Sequence, residues 1–250
     1  MLTSKEQLRY SRQIMLKQIG EEGQLSLQNS KVMIVGMGGL GNPVSLYLAT
    51  AGVGNLFIAD GDSVDITNLQ RQILFTESDI DKNKADTAAE KLQEHNSDTS
   101  IEVIDEMLDG ELCDYYFPTM DLVIDCSDNI QTRYLVNKHC VEHKVPLIVG
   151  AATGFDGQQL VVDPRNAESA CYHCLFPESK KPPENNCQTV GIVGPVLSIV
   201  AGMQSLQAIK LLTGNMIHIN QLNLFDGLSN KWQQFKMKKQ ESCKVCGHSA

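Results

Sequence analysis

Residues 31–44, Lys31-Val-Met-Ile-Val-Gly36-Met-Gly38-Gly39-Leu-Gly41-Asn-Pro-Val, constrain this chain more than any other stretch. A β-branched and apolar run leads into Gly36-x-Gly38-x-x-Gly41, and an Ala/Leu/Tyr pattern of helical spacing follows. Strand, glycine turn and helix in that order make the pattern a phosphate-binding loop. Gly36 allows the tight turn, Gly38 lets phosphate oxygens reach the backbone, and Gly41 lets helix pack on strand. A helix beginning there offers unpaired N–H groups and a partial positive charge to an anion. Asn55–Asp60 reads as the next strand, and its acid stands 19 positions beyond Gly41, close to the spacing of a carboxylate that binds ribose hydroxyls.

A chain of 250 residues holds one large α/β domain, or a domain and a half, and buries most of its apolar surface without disulfides. Its net charge of −9 argues against nucleic acid or an anionic membrane as partner. That acidity also means that cations must be concentrated locally if a polyanionic nucleotide is to bind. Met1–Tyr10 carries Lys5, Glu6 and Arg9 and reads as no secretory signal. The most apolar run, Ile192–Leu212, is interrupted by Gly194, Pro195, Gln204, Gln207 and Lys210, and is expected to be a buried helix rather than a membrane span. The expected location is the cytoplasm, where eight cysteines point to metal or sulfur chemistry rather than disulfides.

Thr3-Ser4-Lys-Glu6-Gln7 starts a capping box, and the spacing of Leu8, Ile14, Met15 and Ile19 predicts one helix up to Gly20. The helix after the glycine loop is expected to end at Gly52-Val-Gly54. Asn68–Gln72 reads as a helical turn and Asp79–Asn96 as a helix carrying Lys82 and Lys84. Strands follow at Ile101–Ile104, Leu122–Asp125 and Pro146–Ala152, with a helix at Ile130–His143. Such alternation implies a mostly parallel, doubly wound sheet covered on both faces. Beyond Gly154 the pattern changes. A strand at Gln158–Val162, a Pro-rich loop at Ser179–Asn186, a helix at Pro195–Leu212 and a hairpin of Leu222–Phe225 with Trp232–Met237 predict an antiparallel extension of the same domain.

Cys171-Tyr-His-Cys174 and Cys243-Lys-Val-Cys246 have 68 residues between them and can supply four thiolates to one tetrahedral zinc. A complete thiolate set leaves no position for water, so the ion is expected to be structural; His173 and His248 are not needed as ligands. Asp128 follows a buried strand, at the edge where open α/β sheets bind ligands. It reads either as a Mg²⁺ ligand beside nucleotide phosphates or as the N-cap of the Ile130 helix. Arg12, Arg71 and Lys84 are candidate phosphate cations. Cys187 reads as a nucleophile or sulfur acceptor, or as an incidental loop cysteine. Cys113, Cys126 and Cys140 read as small buried apolar residues, and His139 and His143 as surface or core histidines, lacking the Glu of a zinc-protease helix. No Gly-x-Ser-x-Gly elbow and no Walker lysine–serine loop occurs. Spacing alone therefore leaves two readings open, a nicotinamide-dependent dehydrogenase and an ATP-using enzyme.

Arg9-Tyr-Ser-Arg12-Gln13, the glycine loop, Asn68-Leu-Gln-Arg71-Gln72, Asp125-Cys-Ser-Asp128-Asn129 and the two Cys-x-x-Cys pairs stand in the order of the ThiF/MoeB/HesA family, which this sequence resembles over essentially its whole length. That family is related to the ubiquitin-activating enzymes. Gln72-Ile-Leu-Phe-Thr76, Asn186-Cys187-Gln-Thr and Leu224-Phe-Asp-Gly227 are most similar to the branch serving thiamine biosynthesis, with the molybdopterin-synthase activators as the alternative. A zinc-stapled NAD-dependent oxidoreductase is the alternative of another class, and a binding scaffold without turnover is a further one. The resemblance implies adenylylation of the C-terminal Gly-Gly carboxylate of a small ubiquitin-like sulfur carrier protein by Mg·ATP, with release of pyrophosphate. It implies a sulfur-donor protein as a second partner, and a homodimer in which the arginine matching Arg12 reaches the other subunit's site. Gly36, Gly38, Gly39, Gly41, Asp60, Asp62, Thr67, Asn68, Leu69, Gln70, Arg71, Lys84, Asp128 and Asn129 would surround the nucleotide. Asp60 would bind ribose, Asn68, Arg71 and Lys84 would hold phosphates, and Asp128 would hold Mg²⁺. Cys187 matches a cysteine of sulfur transfer. The implied layout is a single domain with a helical extension over 1–30, a nucleotide-binding half over 31–153 and a zinc-stapled, carrier-binding half over 154–250. One departure is Asn83, where many members carry proline, a change expected to loosen the turn before Lys84.

Overall fold

The computed structural model describes residues 1–178 and 191–247. Its centre is β1 (Lys31–Val35), which pairs in parallel with β2 (Asn55–Ala59) on one side and β4 (Leu122–Asp125) on the other. β3 (Ser100–Ile104) and β5 (Leu147–Thr153) extend the parallel part outward. β6 (Asp156–Val162), β7 (Gln221–Asp226) and β8 (Lys231–Lys236) then add in antiparallel register. The eight-stranded order is β3-β2-β1-β4-β5-β6-β7-β8, so the chain reverses its winding between β1 and β4. A crevice opens at the carboxyl ends of strands where winding reverses.

Both faces of β1 are buried, which is why its sequence is an unbroken apolar run. Val32 and Ile34 face one core with α4 (Gly41–Ala51), α5 (Lys84–His95) and a long helix (Gly194–Leu212). Met33 and Val35 face the other, with α6 (Gly110–Tyr116), α7 (Ile130–Glu142) and the short α8 (Tyr172–Leu175). The long helix, α9 in chain order, is the one helix among the described residues with the length and hydropathy to cross a membrane, and half of that window is buried in this fold. It packs on α4, β5 and β6.

Three local expectations give way to tertiary contacts. The N-terminal segment is not one helix: it breaks into α1 (Ser4–Arg9), α2 (Ser11–Ile14) and α3 (Gly20–Asn29). Tyr10, at the first break, is buried, and its hydroxyl accepts a hydrogen bond from Asn96 Nδ2 at 2.9 Å. α5 begins at Lys84 rather than Asp79, because Asn83 Oδ1 caps it by accepting from the Ala85 and Asp86 amides at 2.7 and 3.1 Å. Asn83 therefore fastens the turn before Lys84 instead of loosening it, and its Nδ2 donates to the Asp60 carbonyl at 3.2 Å. The Ser179–Asn186 loop and Cys187 lie outside the described residues, as does His248.

Asp79, left outside the helix, becomes a buried anchor. Its carboxylate meets Lys91 Nζ at 2.7 Å and Lys82 Nζ at 3.2 Å and accepts from the Thr76 amide at 2.8 Å. Burial works to raise this carboxyl, but the bonds from Lys91, Thr76 and Lys82 outweigh it and hold the group well below the usual carboxylate range. The contribution is thus present above the unfolded value near 4 and is lost as pH falls through the lower folded value. Asp79→Asn is expected to cost about 2 kcal/mol at pH 7. Urea unfolding at pH 7 and pH 3 checks this, with the gap between the two proteins narrowing in acid.

Candidate active site

The glycine turn closes the crevice from one side. Gly36 sits at φ 90°, a conformation that disfavours a side chain. A Cβ at Gly41 would stand 1.9 Å from the Gly36 carbonyl oxygen, so α4 can begin against the turn only with glycine there. No side chain caps α4, leaving its N-terminus to a ligand. Asp60, at the end of β2, holds the turn: Oδ2 accepts from the Met37 amide at 2.6 Å and Oδ1 from the Asp62 amide at 2.9 Å. Burial pushes its carboxyl up, against the pull of Lys84.

The enclosed volume is about 390 Å³. Lys84, which is 7% exposed, reaches its wall and pairs with Asp62 at 2.9 Å. Arg71 also lines the wall, its Nη1 donating to the Thr67 carbonyl at 2.9 Å. Across the crevice, Asn129 rather than Asp128 caps α7, its Oδ1 accepting from the Thr132 amide at 2.9 Å. Asp128 is exposed toward the cavity and has no hydrogen-bond partner among the described residues. That removes the capping explanation for its position.

Arg133, which the motifs did not single out, supplies a third cation to the wall. Its Nη2 donates to the Ser127 carbonyl at 2.9 Å, while its buried Nε has no partner among the described residues. Gln72 Oε1 is likewise buried and has no partner among the described residues. Buried polar atoms without partners are rare and suit a site made for a polar ligand. Among the described lining residues five carboxylates (Asp60, Asp62, Asp65, Glu106, Asp128) face three cations (Arg71, Lys84, Arg133). A polyphosphate placed there needs further positive charge.

The model of the ThiF family matches residues 10–245. The chain belongs to the ThiF family. It is 44% identical over 248 residues to the sulfur carrier protein ThiS adenylyltransferase of Escherichia coli strain K12, a match covering 99% of this chain and 98% of that one. The adenylyltransferase and sulfurtransferase MOCS3 of Culex quinquefasciatus is 41% identical over 249 residues, which make up 98% of this chain but 56% of MOCS3. Escherichia coli MccB solved with ATP superposes with a TM-score of 0.83 at 27% identity, covering 96% of this chain and 75% of MccB.

In this ThiF-family chain the four cysteines expected to share an ion converge. Their sulfurs lie within 4.8 Å of one another, with Cys174–Cys246 at 3.3 Å, Cys171–Cys243 at 3.7 Å and Cys171–Cys174 at 4.0 Å. A tetrahedral zinc with bonds of about 2.3 Å sets its sulfurs roughly 3.8 Å apart, so the donor set fits. Burial raises the Cys171 thiol. It also acts to raise Cys243, but hydrogen bonds from the Cys246 and Val245 amides and the Cys174 and Cys171 thiols draw that group down to about 6.

Other expected site residues are spread more widely. Gly36, Gly38, Gly39, Asp60, Asp62, Asn68, Arg71, Lys84, Asp128 and Asn129 line the cavity. Gly41, Thr67, Leu69 and Gln70 do not; Thr67 binds Asp65, Leu69 packs against the core, and the Gln70 carbonyl abuts Gly194. Arg12 is exposed on α2 and also lies outside the lining. Sequence reading missed Arg133 and Gln72 as wall residues, although Gln72 ends a motif it had quoted. Their side chains reach the wall through the tertiary placement of α7 and the 66–72 turn.

Proposed function

We propose that this protein uses Mg·ATP to adenylylate the C-terminal carboxylate of a small ubiquitin-like sulfur carrier of the ThiS type, in the thiamine branch. The observation carrying this reading is an Asp128 carboxylate with no hydrogen-bond partner among the described residues, lining the same crevice as Lys84, Arg71 and Arg133 at the β1/β4 winding reversal. The attacking carboxylate is ionised at neutral pH and needs no general base. One of its oxygens bonds to the α-phosphorus, the bond to the bridging oxygen breaks, and pyrophosphate leaves with its electron pair. The obstacle is repulsion between anions, which the three wall cations lower by positioning and neutralising the phosphates. Magnesium, held by Asp128, would supply the remaining charge.

The excess of carboxylates in the wall also supports a contribution from a second copy. Arg12 does not reach its own cavity, and its segment carries Leu8, Met15 and Leu16, each more than half exposed. A homodimer that buries them would bring Arg12 to the partner's phosphates. Trp232, exposed on β8 with its ring against Phe225, offers an aromatic surface for the carrier. The four-cysteine set would hold a structural zinc, Cys187 would enter sulfur transfer from a donor protein, and the setting would be cytoplasmic.

ATP–pyrophosphate exchange tests the reading: a ThiS-type carrier ending in Gly-Gly should support it, and a carrier lacking the last glycine should not. The 41% identity to MOCS3 makes the molybdopterin-synthase carrier the second reading. Exchange with that carrier alone would favour it, and exchange with neither would refute both.

A further inference from the structure

α6 and α7 carry a side-chain cluster that the nucleotide site does not use. Asp114 Oδ1 stands 2.8 Å from His139 Nδ1 and 2.8 Å from His143 Nε2, and the three donor atoms lie within 4.8 Å of one another. His139 lies in the last turn of α7 and His143 caps its C-terminus four residues on, which puts them on one side of the helix end with their rings stacked at 6.2 Å and 25°. His139 is 5% exposed, which holds its imidazole in place before any ligand arrives. Glu142 Oε2 lies 3.7 Å from the same Nδ1, near enough to become a fourth ligand. Asp114 and His143 keep 60% and 26% of their side chains exposed, leaving an open approach from solvent.

The donor types are two imidazole nitrogens and one or two carboxylates. Such a set suits zinc, nickel or copper, whereas magnesium and calcium prefer oxygen alone. An ion with bonds of about 2.0–2.2 Å places neighbouring donors roughly 2.8–3.1 Å apart when six-coordinate and roughly 3.3–3.6 Å apart when tetrahedral. The observed nitrogen–oxygen spacings of 2.8 Å match the first and need to open by roughly half an ångström or more for the second, a movement open to the exposed Asp114 side chain. Two imidazoles converging on a single oxygen also exceed what one hydrogen-bonded pair requires to tie α6 to α7.

We infer that Asp114, His139 and His143 form a second metal site, selective for a divalent first-row transition ion and separate from the thiolate cluster. It sits roughly 15 Å along α7 from the Arg133 end of the helix, so an ion there would clamp α6 to the helix whose first turn lines the nucleotide cavity.

Titration calorimetry with Ni²⁺ of tag-free protein prepared with a single zinc per chain tests this. The wild type is expected to bind one Ni²⁺ per chain saturably, with a rise in Tm. His143→Gln and Asp114→Asn, both partly exposed and therefore tolerated by the fold, are each expected to weaken that binding at least about tenfold and to abolish the Tm rise. Equal affinity in both variants, or no saturable Ni²⁺ binding below about 1 mM in the wild type, would overturn the assignment.

Discussion

Asp128→Ala is expected to lower carrier-dependent ATP–pyrophosphate exchange by about 10²–10³-fold, the usual cost of removing one preorganised group that meets transition-state charge. The same change is expected to leave Tm nearly unaltered. Asp128 is exposed, caps nothing and has no hydrogen-bond partner among the described residues, so its removal strands no buried group. This pairing of a large kinetic effect with a small thermal one separates Asp128 from Lys84. Lys84 is 7% exposed, pairs with Asp62 at 2.9 Å and pulls down the Asp60 carboxyl, so Lys84→Ala is a poorer probe of chemistry. Steady-state exchange and calorimetry on one preparation of Asp128→Ala supply the check. Full exchange by that variant would remove the metal-binding role assigned to the carboxylate.

Stripping zinc from the four cysteines is the second large effect. An ion that holds Cys171 and Cys174, the N-cap and third residue of α8, to Cys243 and Cys246 near the C-terminus binds the folded state alone and stabilises it by mass action. A thousandfold excess over the dissociation constant contributes about 4 kcal/mol. For a chain of this size that corresponds to a fall in Tm on the order of 10 °C when the ion is removed. Cys246→Ser is the suitable variant, because Cys246 is partly exposed whereas Cys171 is fully buried and its replacement would disturb the core as well. Metal analysis should find one zinc per wild-type chain, and chelation should bring the wild-type Tm down to that of the variant. An unchanged Tm after chelation would show the thiols to be held by packing alone.

Much of the parallel sheet was legible because its strands are buried on both faces and therefore read as continuous apolar runs between glycine and polar breaks. Val32–Val35, Leu56–Ala59 and Leu122–Ile124 are of this kind. The glycine turn was legible for a related reason: φ 90° at Gly36 and the 1.9 Å approach at Gly41 leave little choice of residue. α6 was not anticipated. It spans seven residues with a single buried position, Cys113, too few for a period to show. The break at Tyr10 escaped for the opposite reason, since a sound helical spacing was overridden by a long-range bond to Asn96.

The sequence by itself determined the strand–turn–helix nucleotide loop, the four-cysteine set and the motif order that marks the family. Each rests on chemistry that only a few residue types can perform at fixed local spacing. Tertiary structure alone decided that Asp128 and Arg133 share a cavity wall with Arg71 and Lys84, and that Asp114 meets His139 and His143. Those outcomes depend on which side chains distant segments bring within reach of one another. Local spacing carries no information about that, because the partner lies tens of residues away and is chosen by how the helices settle on the sheet.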